Sequence, residues 1–491
     1  MNKWIILLPM VLISLVFSCS RPEGKQTATP MLAFDSGGLF KIAQFTDLHW
    51  NPTSPRSAQT KAVIQHILQT EQPDLAMLTG DVVTAQPGTE GWQSIAQIFI
   101  DAKTPWALTL GNHDDEAGMT GAEIMELLVG TPYFVGEAGP PIGGSGNYVL
   151  PIHGYEGDEV EALLYCLDSH NRPPAHKYGR YDWVHFDQVN WCREQSRAYI
   201  NPEKSSFLPA LAFFHIPIKE FEEVQRQPDI VGTANEDVAS SDINSGLFAS
   251  FLEMGDVMGA FVGHDHNNDY IGTHYDIALA YGRTTGADAY GDLQRGGRII
   301  VLHEGERYFD TWIRTPEGVE HVYYYPSGRT AEAGSHTDYL PARTRTSSKP
   351  GLHYRYYEGG RLRQLADTAQ ATLVRVGTTQ RITLDIADVR DSFALVFKGL
   401  INIPKRDVYR FYTYSDDGSK LSIGGRVVVD NDNSHGARRR DGQIALDAGL
   451  HEFELAYFDN YMGEVLEVGY ASGSIPEQVL REPLFFIPAD D

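Results

Sequence analysis

Five short polar clusters carry residue types that bind metal ions: Asp47-Leu48-His49, Gly80-Asp81, Gly111-Asn112-His113-Asp114, His215 and Gly263-His264-Asp265-His266. Each follows an apolar, strand-like run. Together they offer carboxylates, an amide oxygen and imidazoles but no thiolate, a hard-to-borderline set suited to Fe, Mn or Zn. Asp-x-His and His-x-His put alternate residues on one side of an extended chain, so both ends reach one ion. The glycines before Asp81, Asn112 and His264 permit sharp turns and close backbone approach. Taken singly, an Asp-x-His is an ordinary solvated loop and a strand-end Gly-Asp an ordinary turn. Their order and shared context carry the weight.

The elements that must position these residues alternate. Strand-like runs occur at Lys41–Phe45, Leu75–Leu78, Trp106–Leu110, Leu163–Leu167, Leu211–Phe214, Gly259–Val262, Ile277–Tyr281 and Arg298–Leu302. Helical spacing marks Ser57–Thr70 and Gly91–Ile100, and Thr120 and Glu123 have capping-box spacing with Gly130 beyond. Such alternation predicts an α/β domain over residues 39–315, with the clusters meeting at one sheet edge, at the carboxyl ends of parallel strands. Pro, Gly, Ser, Thr and Arg then predict a linker over 316–350. Closely spaced Tyr- and Val-rich strands over 351–476, with Asp-Gly, Gly-Gly and Asn-Asp turns, predict an antiparallel β-sandwich, followed by a tail over 477–491.

The five clusters, in this order, resemble the signature of the calcineurin-like metallophosphoesterase superfamily. Phe45–His49, Leu110–Asp115, Phe213–Pro217, Asn244–Phe248, Gly263–Tyr270 and Tyr281-Gly282-Arg283 are similar to its branch related to purple acid phosphatases but lacking their tyrosine ligand. That residue falls at Thr84 here, with His49 filling the vacant place, so a coloured ferric-tyrosinate centre is not expected. The resemblance implies a two-sheet β-sandwich flanked by helices and two divalent or mixed-valence metal ions. It implies that Asp47, His49 and His266 hold one ion and Asn112, His215 and His264 the other, with Asp81 between them. Two such ions generate a hydroxide nucleophile and clamp the entering and leaving oxygens of a phosphoester. His113 is then the expected general acid, with Asn112 holding phosphoryl oxygens. Asp114 either orients His113 or is an exposed turn acid. His170 is expected to line the pocket. Arg283 is either a substrate-phosphate partner or a structural ion pair, and Asn244 either a substrate contact or a helix cap. The loops 136–158 and 173–181 are expected to wall the pocket.

The C-terminal segment resembles the anthrax protective antigen-type domain through Tyr356-Tyr357-Glu358-Gly359, Val408–Phe411, Ser415–Ser419 and Ala448–His451. Some members of that family bind glycans and some hold calcium through adjacent aspartates. Asp416 and Asp417 stand at such a place, although Asp-Asp-Gly is also ordinary turn chemistry, the favoured reading.

A chain of 491 residues exceeds one ordinary core and predicts two or three domains. Its net charge of −25 argues against nucleic acid, although bound cations reverse the field locally and leave a small phosphate ester admissible. Lys3 precedes an apolar run from Trp4 to Phe17, about 14 residues and short of the roughly 20 that span a bilayer. The run ends at Ser18-Cys19, which resembles a bacterial lipobox; the alternative is a plain signal peptide with an incidental cysteine. Export, lipid anchoring at Cys19 and a tether over 20–38 are therefore expected, in the periplasm or at the cell surface. Cys166 and Cys192 are expected as buried free thiols. The resulting expectation is an exported phosphomonoesterase with a polysaccharide-binding module. Its alternatives are a phosphodiesterase of lipid head groups or nucleotides, and a non-catalytic surface glycan-binding protein.

Overall fold

The computed structural model describes residues 30–200, 207–227, 230–326, 339–343, 348–461, 463–472, 475–481 and 483–488. The apolar run 4–17, Cys19 and the first part of the expected tether lie outside the described residues. The first domain contains strands β1 (Leu39–Phe45), β2 (Leu75–Thr79), β3 (Trp106–Thr109), β4 (Tyr148–His153), β5 (Val160–Cys166), β6 (Ala210–Phe213), β7 (Val257–Val262), β8 (Ile271–His274), β9 (Ile277–Tyr281), β10 (Gly297–His303), β11 (Phe309–Thr315) and β12 (Gly318–Tyr325). Its α-helices are α1 (Ser57–Glu71), α2 (Gly88–Ala102), α3 (Gly121–Leu128), α4 (Phe186–Ala198), α5 (Glu220–Gln225) and α6 (Leu247–Met254).

Continuous apolar runs form strands covered on both faces, as parallel strands require: every residue of β2, β3, β6, β7 and β9 is buried. They fall into two sheets, ordered β12-β11-β10-β1-β2-β3 and β4-β5-β6-β7-β9-β8. Within them β1, β2 and β3 are parallel, as are β5, β6, β7 and β9. Side chains alternate between two cores. Leu164, Cys166, Leu211 and Phe213 join Ile42, Phe261 and Phe309 in the first. Leu163, Tyr165, Ala210 and Ala212 pack outward with Val189 of α4, Phe221 of α5 and Phe251 of α6 in the second. Cys166 and Cys192 are free and buried, and the Thr120–Glu123 capping box closes the start of α3.

The domain boundaries differ from those expected. Leu32 and Phe34 are buried and Ala33 bridges His153, so the fold begins inside the expected tether. β12, within the expected linker, pairs with β11. Leu340 bridges Leu446 of the C-terminal sandwich. Ile475–Val479 and Phe485–Pro488 are strands of that sandwich, with Phe485 and Ile487 buried, where a tail was expected. The sandwich is antiparallel, its sheets enclosing Tyr356, Phe397, Tyr409, Leu421 and Leu455. Composition misplaced these limits because short edge strands mix polar and apolar residues.

Candidate metal centre

The ligand-type residues follow the carboxyl ends of parallel strands: Asp47 and His49 after β1, Asp81 after β2, Asn112 after β3, His215 after β6, and His264 and His266 after β7. Because β1–β3 belong to one sheet and β6 and β7 to the other, the clusters meet between two sheets and not along one edge. The backbone laces them together. Asp47 N–H donates to Gly80 O (3.2 Å) and His49 N–H to Asp81 O (2.9 Å). His113 N–H donates to Asp81 Oδ1 (2.8 Å), and His264 N–H meets both Asp47 oxygens (3.2 and 3.1 Å). This closeness explains two glycines. A Cβ on Gly263 would lie 1.9 Å from Thr46 Oγ1, and one on Gly111 would lie 2.3 Å from Asp81 N.

Side chains converge in two groups, Asp47–His49–His266 and Asp81–His215–His264, each with potential ligand atoms within 4.8 Å of one another. Asp47 Oδ1 lies 3.2 Å from His266 Nε2, and His49 Nε2 3.3 Å from the same nitrogen. His215 Nε2 lies 3.3 Å from both Asp81 Oδ2 and His264 Nδ1. Asp81 Oδ2 is also 3.6 Å from His49 Nε2, so this carboxylate faces both groups. His215 Nδ1–H donates to the Thr79 carbonyl (2.8 Å), which leaves the Nε2 lone pair for a metal.

The electrostatics ask for positive charge. Burial alone would raise Asp47, but the His266 and His215 imidazoles hold its carboxyl down to about 2. Asp81 is likewise held well below the carboxylate range by His215, against its burial. Against burial, Asp81 and Asp47 push His215 up to about 10. Burial, and then the His215 charge, takes His264 down to about 3, and burial lowers His49. Asn112 Oδ1, His264 Nε2 and His266 Nδ1 are buried without a hydrogen-bond partner. Those two nitrogens face away from the carboxylates. It is the opposite ring atoms, His264 Nδ1 and His266 Nε2, that crowd with His49 and His215 around two buried carboxylates, and this donor set, with the unbonded Asn112 oxygen, fits a pair of cations.

His113 is half exposed at the rim, its ring 5.6 Å from that of His49, and its Nδ1 pairs with Glu116 Oε1 (2.8 Å). Asp114 meets neither expectation. It is buried, and its carboxylate accepts from the N–H groups of Val82, Val83 and Gly111, clamping the β2 and β3 turns together. Arg283 is buried in the structural alternative, paired with Asp269 and Glu320 and donating to Gln294 O (2.8 Å), so its expected substrate contact is withdrawn. Asn244 is exposed, donates to Glu220 Oε1 (2.8 Å) and accepts from Gly246 N–H (2.8 Å) just before α6, which is turn chemistry in place of a substrate contact. His170 follows β5, half-buried, with its ring stacked on that of His185. Tyr181, edge-on 4.5 Å from His264, closes the loop 173–181 that was expected to wall the pocket. Sequence reasoning missed Tyr290, stacked 3.9 Å from His266. It also missed Asp265, which accepts from Tyr281 Oη–H (2.6 Å) and Ala239 N–H (3.0 Å) and which burial raises to about 7. Only the alternation of His-x-His, which turns the middle residue away, hinted at Asp265.

Residues 40–268 match the calcineurin-like phosphoesterase family and residues 348–474 the PA14 domain. "Probable inactive purple acid phosphatase 29" of Arabidopsis thaliana is 30% identical over 341 residues, covering 62% of this chain and 87% of that protein. "Phosphatase DCR2" of Saccharomyces cerevisiae is 28% identical over 328 residues, covering 59% and 56%. The solved structure of a dimetal phosphatase from Danio rerio has a TM-score of 0.39 at 12% identity, covering 58% of this chain and 97% of that one. The matched region of the first domain carries every residue of the two ligand groups, and the chain belongs to the calcineurin-like phosphoesterase family, with a PA14 domain behind its catalytic-type fold.

Proposed function

We propose that the chain is an exported binuclear-metal phosphoesterase that hydrolyses phosphomonoesters, lipid-anchored at Cys19 and held near polysaccharide by its PA14 domain. The observation that carries the reading is the convergence of four imidazole nitrogens, from His49, His215, His264 and His266, on the two buried carboxylates Asp47 and Asp81. Asp47, His49 and His266 would hold one ion and Asn112, His215 and His264 the other, with Asp81 shared. Bound there, two cations supply a nucleophilic hydroxide at neutral pH and stabilise the charge of an in-line displacement. The chain itself fixes the ligands through backbone N–H groups and the Thr79 carbonyl. His113 donates the proton that a departing alkoxide takes; Glu116, at its Nδ1, orients the ring. Export rests on the apolar run and Ser18-Cys19. Some relatives bear the word "inactive" in their names, and activity is the point to test.

Metal analysis with hydrolysis of a chromogenic phosphomonoester and diester decides it. At least two metals per chain, with turnover lost in His215→Ala, support the enzyme; no bound metal and no turnover would leave a glycan-binding surface protein. His113→Ala should slow alkyl phosphates on the order of 10²–10⁴-fold and nitrophenyl esters far less, because nitrophenolate needs little protonation. Equal losses remove His113 from the acid's role.

For calcium, Asp417 favours the ordinary turn: its oxygens accept from Ser434 Oγ–H and from the N–H groups of His435 and Asn460. Beside it Asp459 is buried with neither carboxylate oxygen bonded, which favours a cation there. Calcium titration of the full chain, compared with Asp459→Asn, tests this second reading.

A further inference from the structure

A third group of ligand-type side chains lies outside the centre: His170, Asp182 and His185, with potential ligand atoms within 4.8 Å of one another. His170 follows β5, and the other two precede α4. Their neighbours touch the centre. Ser169 Oγ accepts from the N–H of Ile216, next to His215 (2.9 Å), and the ring of Tyr181 meets His264 at 4.5 Å. Asn171 Nδ2 donates to Asp115 Oδ2 (2.9 Å), close to His113.

Gln188 decides the proton position on His170. It is fully buried, and its Nε2 donates to the Asp168 carbonyl (2.7 Å) and Asn147 Oδ1 (2.8 Å). Its Oε1 is therefore the acceptor that takes His185 N–H (2.6 Å) and His170 Nε2–H (2.7 Å). Neutral His170 then keeps its lone pair on Nδ1. A metal-binding imidazole typically donates its other nitrogen to an oxygen in this way, and His215 does the same toward Thr79. The backbone holds His170 in place at a left-handed φ of 63°, with its N–H on Asp168 Oδ1 (2.8 Å). Asp182 is buried, and its Oδ1 lies 3.3 Å from His185 Nε2, the spacing seen between ligand atoms of the first two groups. The His170 and His185 rings stack at 4.1 Å, which keeps both imidazoles beside the Asp182 carboxylate.

We propose that His170, Asp182 and His185 form a third cation site, for a zinc-class ion, in the wall of the binuclear centre. Two imidazoles and a carboxylate leave one position open for water or a substrate oxygen. A cation there would extend the positive field from the reacting phosphate to a second anionic group on the substrate. The site itself requires only these three residues and stands whether or not the binuclear centre turns over.

The purified full chain, stripped with chelator and titrated with Zn²⁺, should take up one equivalent more than Asp182→Asn or His170→Gln, measured by plasma mass spectrometry. The same one-equivalent loss on adding Asp182→Asn should persist in a His215→Ala background, which cripples the neighbouring centre. Wild type and Asp182→Asn binding equal amounts of metal overturns the proposal. A second readout needs no variant: carbethoxylation of His170 and His185 in wild type, mapped by peptide mass, should fall several-fold over the last equivalent of Zn²⁺. Unchanged modification at both residues overturns the proposal as well.

Discussion

Replacing Asp114 with asparagine tests how the centre is held. Its Oδ1 accepts from Val82 N–H (2.8 Å) and Val83 N–H (3.0 Å), and its Oδ2 from Gly111 N–H (2.8 Å). The turn that carries Asp81 is thereby tied to the turn that carries Asn112 and His113. An asparagine can keep its oxygen on Val82 and Val83, but its NH₂ then faces Gly111 N–H, donor against donor. The least costly placement loses one hydrogen bond and strands one buried donor, about 1–3 kcal/mol. At about 2–4 °C per kcal/mol in a large domain, the thermal midpoint should fall by several degrees. His113 is oriented by Glu116 and not by this carboxylate, so kcat/KM should drop by one common factor for nitrophenyl and alkyl phosphates. Calorimetry and paired kinetics measure both quantities. An unchanged midpoint, or a loss confined to alkyl phosphates, refutes the reasoning.

Gly263→Ala places a Cβ 1.9 Å from Thr46 Oγ1 and 2.8 Å from Asp47 Oδ2, so Asp47 must move. Overpacking of this kind costs about 1–3 kcal/mol, and metal analysis should show depleted occupancy in a folded protein; full occupancy would show that the turn yields more easily. Asp459 is raised to about 7, first by burial and then by the Asp417 charge. A buried acid shifted upward stabilises the fold fully below its unfolded value near 4, and that contribution is lost as pH rises through 7. The C-terminal unfolding midpoint should therefore decline between pH 4 and 7, and Asp459→Asn should flatten the decline; an equal slope in both proteins counts against the assignment.

The strands were legible where apolar runs were continuous, because full burial on both faces leaves a run and not a pattern: β2, β6, β7 and β9 fall within about two residues of their expected places. β4, β8, β11 and β12 were missed: Ile271–His274 is only four residues long, Tyr148–His153 and Phe309–Thr315 alternate buried with half-buried residues, and Gly318–Tyr325 mixes Glu320 and His321 with its tyrosines. The ligand set was legible because its chemistry is written in residue types. Asp114 and Arg283 were not, because a carboxylate or guanidinium reads the same in sequence whether it faces a substrate or backbone N–H groups and a buried acid. Only the partners distinguish these cases, and the partners come from distant segments, Val82 and Val83 for the first and Asp269 and Glu320 for the second.

Backbone conformation was the least legible layer, and it bears directly on the centre. Asp47 (φ 50°), His49 (φ 41°), Asp81 (φ 50°) and His264 (φ 83°) all stand in the left-handed region, though none is glycine. Each such residue costs on the order of 1–3 kcal/mol, toward the low end for Asp and His, which tolerate that region best. Summed, the strain is a sizeable part of the 5–15 kcal/mol that ordinarily separates folded from unfolded chains. It persists because fully buried strands on either side, and hydrogen bonds such as His49 N–H to Asp81 O, leave the turns no alternative path. The same constraint holds Asp47 and Asp81 within 4.0 Å and 3.3 Å of His215 Nε2, so the strained turns are what set the spacing of the ligand groups.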